Sequence, residues 1–135
     1  MTALDPGLEG IVKVVVDAGM TATAFDSGPV DGLATPAMVA LMEAACMRAV
    51  ADAMAPGQSS VGVHLDVEHL APTPVGMAVV ARARLLRVED RKLYFSVRAE
   101  DQAGEIGRGT HERVLIDLAQ FEARIKRRRR GGLPA

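Results

Sequence analysis

Aromatic residues are scarce in this chain of 135 residues, which has no Trp, one Tyr and three Phe. Proteins that bind single-stranded nucleic acid stack bases on exposed rings, so the scarcity argues against that class. The hydrophobic fraction of 49% and the charged fraction of 24% exclude a disordered chain. The length fits one domain with a core of Ala, Val, Leu and Met.

Cysteine is almost absent as well, since Cys46 is the only one. A single thiol cannot form an internal disulfide, and it does not supply the cysteine pair of a zinc knuckle. The three histidines (His64, His69 and His111) lack the spacing of metal ligands. We therefore expect no metal site.

Long apolar runs are also missing. The most apolar stretch, residues 33–54, is interrupted by Glu43, Arg48 and Asp52, which excludes a membrane span. The first ten residues, MTALDPGLEG, lack the basic and apolar regions of a signal peptide. These features predict a cytoplasmic protein.

The net charge of −1 conceals a basic run, Lys126–Arg130. Of 16 Lys and Arg, five lie in this run, which leaves 11 against 17 Asp and Glu elsewhere. We interpret residues 1–125 as the domain and residues 126–135 as a basic tail that is expected to be disordered. Alternatively, the run attracts a polyanion such as a nucleotide phosphate. The acidic rest of the chain argues against a nucleic-acid partner.

Hydrophobic alternation and turn residues predict five strands and one long helix. The strands are expected over residues 8–17, 60–70, 78–88, 92–100 and 106–117, and a short helix over 119–127. The long helix is expected over 35–54, with Thr35 as N-cap and Pro36 in the first turn. The connections among the last four strands are too short for parallel crossovers, so an antiparallel meander is expected. The result is an α+β domain with the helix on one face of the sheet.

One charged residue of the long helix lies away from its polar side. At 100° per residue, Arg48 and Asp52 are about 40° apart and define the side that faces water. Glu43 lies roughly 140–180° from both, among apolar residues. A carboxylate there is costly unless it is paired or functional. Glu43 is therefore either a general base or a group at the edge of a pocket or a subunit boundary.

The strand after the helix carries two histidines that alternation assigns to opposite faces. The row expected to face the helix consists of Val61, Val63, Leu65, Val67 and His69, and the opposite row contains Gly62 and His64. His64 is thus predicted to be exposed, and His69 to be either a structural core histidine or a catalytic one.

The last strand has glycines at alternate positions. Gly107 and Gly109 share a face with His111 and Arg113. Missing side chains let a ligand or another backbone approach closely, and tight packing against the helix is the simpler interpretation.

Thr35, Glu43 and His69 meet if the start of the helix faces the end of the His69 strand. A hydroxyl, a carboxylate and an imidazole suit acyl transfer or hydrolysis. The free N–H groups at the helix start are placed to stabilise an oxyanion.

Three blocks of sequence carry a resemblance to a known family. They are LAT at 33–35 followed by MVALMEAAC at 38–46, HLAPTPVG at 69–76, and IGRGTHERVLIDLAQF at 106–121. In these blocks and in the Thr-x7-Glu-x25-His spacing, the chain resembles hotdog-fold acyl-CoA thioesterases, specifically the fluoroacetyl-CoA thioesterase-like group.

The resemblance implies an antiparallel sheet of about five strands wrapped around one long central helix. It implies a homodimer with sites at the subunit boundary, and coenzyme A as part of the substrate without a separate cofactor. Thr35, Glu43 and His69 would be catalytic: His69 as general base or acid, Glu43 as base or nucleophile, and Thr35 as a positioning group. Gly62, Arg113 and Phe25 would bind the substrate.

One departure from the group concerns the acyl pocket. In fluoroacetyl-specific members, aromatic side chains before the Thr form a lid, whereas here only Phe25 is aromatic and the lid positions fall near Asp26 and Pro29. The bulky aromatic residue that follows the Glu is Ala44 here. A more open acyl pocket is therefore expected.

Three other functions remain as alternatives. The first is a hotdog module that binds acyl-CoA or a small ligand without turnover, and the second is an enzyme of the same fold with other chemistry, such as a hydratase. The third is a nucleic-acid partner engaged by Lys126–Arg130. Release of free thiol from acyl-CoA distinguishes the thioesterase from all three.

Overall fold

A computed structural model describes residues 2–130 and contains all of the predicted strands and helices. The strands are β1 (Glu9–Val15), β2 (Gln58–His69), β3 (Ala78–Glu89), β4 (Lys92–Asp101) and β5 (Gly104–Asp117), and the helices are α1 (Thr35–Val50) and α2 (Leu118–Arg130). Short 3-10 turns cover Ala18–Met20 and Ala51–Ala53.

The five strands form one antiparallel sheet in the order β1-β3-β4-β5-β2. The predicted meander is confirmed for β3, β4 and β5, but it is wrong for β2, which pairs with β5 at the far edge instead of with β3. Residues 70–77 span the sheet between them. Eight extended residues reach about 26 Å, which exceeds the roughly 14 Å of three strand spacings, so the short link does not require neighbouring strands.

This crossing segment is fixed at Thr73. The Thr73 side chain is buried, and its hydroxyl donates to a carboxylate oxygen of Asp101 at 2.7 Å. Its backbone carbonyl accepts from the N–H of Leu33 at 2.8 Å, just before α1 begins. The segment therefore ties the end of β2 to the start of α1.

Helix α1 lies on one face of the sheet, as predicted, and packs chiefly over β1 and β3. Its buried residues are Ala37, Met38, Met42, Ala45, Cys46, Ala49 and Val50. Small residues on this face let the helix approach β1 closely at Gly10. A Cβ at Gly10 would lie 2.1 Å from the carbonyl oxygen of Ala45 and 2.5 Å from the backbone nitrogen of Ala49.

Gly10→Ala is expected to destabilise the protein because the added methyl group meets helix backbone that cannot move alone. Overpacking of this kind lowers the free energy of unfolding by about 1–3 kcal/mol or more. We therefore expect a lower midpoint of thermal unfolding. Gly32→Ala is the control, since a Cβ there would meet its nearest atom at 3.4 Å. Equal midpoints for the two variants would contradict this account of the packing.

Helix α2 is longer than predicted. It extends past residue 127 to Arg130, so the part of the basic run expected to be disordered is helical. Successive Arg and Lys residues are good helix formers, which explains why the helix continues. Residues 131–135 of the predicted tail lie outside the described residues. Within residues 2–130, no helix is long and apolar enough to cross a membrane.

Candidate active site

Thr35 and His69 are in direct contact, as the sequence predicts. The Thr35 hydroxyl oxygen lies 2.8 Å from Nδ1 of His69, which ends β2. The prediction of Thr35 as N-cap is wrong, because Ala34 holds the cap position and Thr35 is the first helical residue. Its hydroxyl is engaged by the imidazole instead of by the helix backbone. We call these two residues the Thr35–His69 pair.

The other ring nitrogen of His69 is buried and has no hydrogen-bond partner among the described residues. Buried polar atoms are nearly always satisfied, so an orphaned one indicates a ligand or a partner surface. Burial lowers the pKa of His69, and the backbone of Ala71 opposes this with a smaller effect. The imidazole is therefore neutral near pH 7.

A β-bulge in β2 changes which residues face the helix. Gly62 pairs with Arg113 and His64 pairs with Glu112, which leaves Val63 as the extra residue. The prediction that Val61 and Val63 face the helix is therefore wrong, because the bulge shifts the alternation. Gly62 faces inward instead, whereas Leu65, Val67 and His69 keep their predicted side. As predicted, the His64 side chain is exposed.

Glu43 lies against Gly62 and Arg113. A Cβ at Gly62 would be only 2.8 Å from Oε2 of Glu43 and 2.9 Å from Cε1 of His111, so a glycine is needed there. The Glu43 side chain is 41% exposed, whereas the Arg113 side chain is 6% exposed and donates to Oε2 at 3.3 Å. Glu43 thus stands at the edge of the core, as one of its two interpretations predicted.

Arg113 is held in place on several sides. Its Nε donates to the Ser60 hydroxyl at 2.8 Å, and Nη2 donates to the Ser60 carbonyl at 2.9 Å and contacts the sulfur of Met47 at 3.2 Å. Because Arg113 is buried and held in this way, it offers the Glu43 carboxylate a positioned partner.

His111 is a site residue that the sequence did not identify, although alternation placed it beside Arg113. Its Nδ1–H donates to the His64 carbonyl at 2.8 Å, so Nε2 is left to accept from Arg113 at 3.1 Å. Oε2 of Glu43 is 3.6 Å from the same Nε2. Burial is the main reason that the pKa of His111 is lowered. We call Glu43, Gly62, His111 and Arg113 the Glu43 cluster.

The Thr35–His69 pair and the Glu43 cluster are separate within one chain. Thr35 and Glu43 are eight residues apart on α1, which corresponds to about 12 Å along the helix axis. The structure thus unites two of the three predicted catalytic residues and places the third two turns away. The cavity beside Glu43 is about 220 Å³, lined also by Gly62, Val63, His64, Leu65 and His111.

The remaining predicted residues lie outside these two groups. Phe25 is on the loop before α1 and is 47% exposed. Packing against the helix, the simpler interpretation, holds for Gly107 of β5, whereas Gly109 packs against β2 instead. A Cβ at Gly107 would be 2.5 Å from the sulfur of Met38, and one at Gly109 would be 2.0 Å from the carbonyl oxygen of Asp66.

The two buried histidines predict a pH effect on stability. Burial lowers the pKa of His69 and of His111 below the ordinary value of about 6.5 that applies to the unfolded chain. The unfolded state therefore binds more protons as the pH falls, so the stability from these groups is complete above pH 6.5 and is lost on acidification through the folded pKa values. Ring titration by NMR should give midpoints below 6.5 for both, and a midpoint above 6.5 for either would contradict the burial argument.

The sequence matches a family model described as FlK, fluoroacetyl-CoA-specific thioesterase, over residues 16–119. A similar curated protein is the fluoroacetyl-CoA thioesterase of Streptantibioticus cattleyicolor. It is 46% identical over 99 residues, which are 73% of this chain and 71% of that protein.

Solved structures show the same likeness. The fluoroacetyl-CoA thioesterase FlK is 37% identical with a TM-score of 0.87, over 98% of this chain and 100% of that one. A thioesterase superfamily member from Thermus thermophilus is 31% identical, also with a TM-score of 0.87, over 96% of each chain. The range matched by the family model includes both the Thr35–His69 pair and the Glu43 cluster.

Proposed function

This chain belongs to the fluoroacetyl-CoA-specific thioesterase family, and from that premise we propose how its residues hydrolyse acyl-CoA thioesters. The predicted hotdog fold is confirmed, and the protein is an acyl-CoA thioesterase that releases a free acid and CoA. We assign catalysis to Glu43, His69 and Thr35, with Gly62 and Arg113 shaping the site. The observation that carries this assignment is the Glu43 carboxylate, held by a buried Arg113 at the mouth of a cavity.

Glu43 acts as the general base. Among the described residues, Arg113 and His111 contact only Oε2 of Glu43, which leaves Oε1 for a water molecule. The carboxylate takes a proton from this water as its oxygen attacks the thioester carbonyl carbon. Gly62 leaves the space in which the carboxylate and an acyl group lie side by side. Collapse of the tetrahedral intermediate then expels the CoA thiolate.

His69 acts as a hydrogen-bond donor to the thioester carbonyl oxygen. We assign the Thr35 hydroxyl as the donor to Nδ1, which places the proton of the neutral ring on Nε2, the atom without a partner among the described residues. A donor fixed in this way stabilises the negative charge that develops on oxygen in the transition state. The free N–H groups in the first turn of α1 lie beside Thr35 and support the same charge. No further cofactor is required, because coenzyme A arrives as part of the substrate.

The site is completed by a second copy of the chain. One side of α1 carries an apolar stripe that spans about 60° and has Glu43 as its one charge. The stripe consists of Pro36, Ala40, Glu43 and Met47. Met47 is 40% exposed, and so is Leu65 on the facing side of β2 at 39%. β2 is also an edge strand whose outer backbone groups have no pairing strand in the sheet. An apolar stripe beside an open edge indicates a protein partner.

Two-fold symmetry explains why the two halves of the site are apart in one chain. An axis that crosses α1 sets it antiparallel to its copy, so positions equally distant from the axis face each other. Val39 is midway between Thr35 and Glu43. An axis near Val39 and Ala40 therefore places Glu43 of one subunit opposite the partner subunit's Thr35 and His69.

The acyl pocket is proposed to accept groups larger than fluoroacetyl. Phe25 is half exposed and Ala44 has a small side chain, so no aromatic lid narrows the site. Thiol release should be measured with acetyl-, fluoroacetyl-, butyryl- and octanoyl-CoA, with His69→Ala as the control. We expect thiol release from several of the straight-chain acyl-CoA substrates, at rates similar to that for fluoroacetyl-CoA. Turnover confined to the two-carbon substrates would contradict the open pocket, and binding without thiol release would contradict the mechanism.

A further inference from the structure

An apolar cleft lies on the side of the sheet opposite α1. Helix α2 follows β5 directly, packs against it, and lines the cleft together with β2 and β5; its Phe121 is half-buried. The space between helix and sheet has a volume of about 830 Å³. Its apolar lining includes Val61, Val63, Val114, Ile116, Phe121 and Ile125. Val61 and Val63 face the cleft because the bulge in β2 turns them outward.

The rim of this cleft is positively charged. Arg91, Arg124, Arg127 and Arg128 line it, and within residues 2–130 no carboxylate lies within 4.0 Å of any of them. Arg91 is anchored by two N–H groups on the Leu115 carbonyl, at 2.7 and 3.2 Å. The one acid in the lining, Asp117, is occupied as a cap that accepts from the N–H of Gln120 at 2.9 Å. The cleft therefore suits a ligand with a flat apolar part and several phosphate charges.

The cleft borders the site of hydrolysis. Gly62 and Val63 line both the cleft and the cavity beside Glu43. The bulge of β2 is thus the shared wall between the two spaces. A ligand whose reacting end lies at Glu43 needs to cross only this wall for its far end to enter the arginine cleft.

We propose that this arginine cleft binds the phosphorylated nucleotide end of CoA, an assignment that rests on the proposed function. Guanidinium groups pair with phosphate oxygens through two parallel hydrogen bonds and stack on flat rings. Arg124, Arg127 and Arg128 bind the phosphates, and the adenine lies on the apolar lining beside Phe121. The basic helix, unexplained by hydrolysis alone, thereby serves substrate binding.

The test replaces Arg124, Arg127 and Arg128 together by Gln and uses two thioesters with the same acyl group. One is butyryl-CoA, and the other is butyryl-N-acetylcysteamine, which lacks the nucleotide. We expect KM for butyryl-CoA to rise about tenfold or more at unchanged kcat, because charge-assisted hydrogen bonds are lost. KM for the truncated thioester should not change.

The matched control replaces Arg82, Arg87 and Arg98 by Gln. These exposed arginines of β3 and β4 pair with Glu100, Glu89 and Glu105, so the net charge changes equally away from the cleft. KM for butyryl-CoA should stay within about twofold in this control, since surface ion pairs contribute little.

Two outcomes overturn the proposal. An unchanged KM for butyryl-CoA in the cleft variant shows that the arginines do not bind the nucleotide; loss of affinity for RNA or anionic vesicles in the same variant would then identify the partner. Equal losses on both thioesters indicate a structural role for α2. Hydrolysis of the truncated thioester by the wild type tests the catalytic assignment separately, so failure of the cleft and failure of the mechanism are distinguishable.

Discussion

Glu43→Gln is expected to lower kcat for acyl-CoA hydrolysis by at least about a hundredfold, the usual contribution of a general base. Glutamine keeps the shape of the side chain, but it cannot take a proton from water. The substrate contacts are otherwise retained, so KM should change little. A fall in kcat with an unchanged KM indicates that the carboxylate acts mainly in the transition state.

The fold should survive this change. Arg113 keeps its hydrogen bonds to Ser60 and its contact with Met47 when the carboxylate is lost. Because the Glu43 side chain is 41% exposed, solvent screens the pair and the loss in unfolding free energy should be about 1 kcal/mol or less. Thermal unfolding measured beside the kinetics separates inactivity from misfolding.

Two further variants complete the measurement. Glu100→Gln removes an exposed carboxylate of β4 that pairs with Arg82, and it should leave kcat unchanged. Glu43→Asp keeps the charge that Arg113 contacts but draws the carboxylate back by one methylene, so an intermediate kcat is expected. A Glu43→Gln protein that retains more than about a tenth of the wild-type kcat would rule out Glu43 as the base.

Much of the fold could be predicted because local patterns decide it. β3, β4 and β5 alternate over most of their length and are joined by two tight turns, so pairing with the next strand is the natural outcome. Glu43 could be singled out because a carboxylate away from the polar side of a helix has a cost that requires an explanation. Contact between Thr35 and His69 was predicted on the condition that the start of α1 faces the end of β2, and the structure meets this condition.

The errors have physical causes that are not local. The bulge at Val63 reverses which residues of β2 face the helix on the N-terminal side of the bulge. No local pattern distinguishes such an inserted residue from continued alternation. The link after His69 passes β5 and β4 to reach β3, and its Thr73 hydroxyl is bonded to Asp101, a partner 28 residues away. His111 was missed because its role depends on Arg113 and on the His64 carbonyl, which β2 brings to it across the ladder.

The proposed division of the site between two subunits predicts that inactive variants restore one another. Glu43→Gln and His69→Ala each inactivate both sites of their own dimer. In a mixed dimer, one site receives both changes and the other receives neither. If subunits pair at random, half of the dimers are mixed, so activity should recover to about a quarter of the wild-type value.

The most direct measurement is therefore thiol release from acyl-CoA by the two variants, unfolded together and refolded as a mixture. Each variant refolded alone provides the baseline, at about one hundredth of wild type or less. We predict recovery to about a quarter of wild-type activity in the mixture alone. A mixture that stays at the baseline, although mixed dimers have formed, would show that Glu43 and His69 act within one chain.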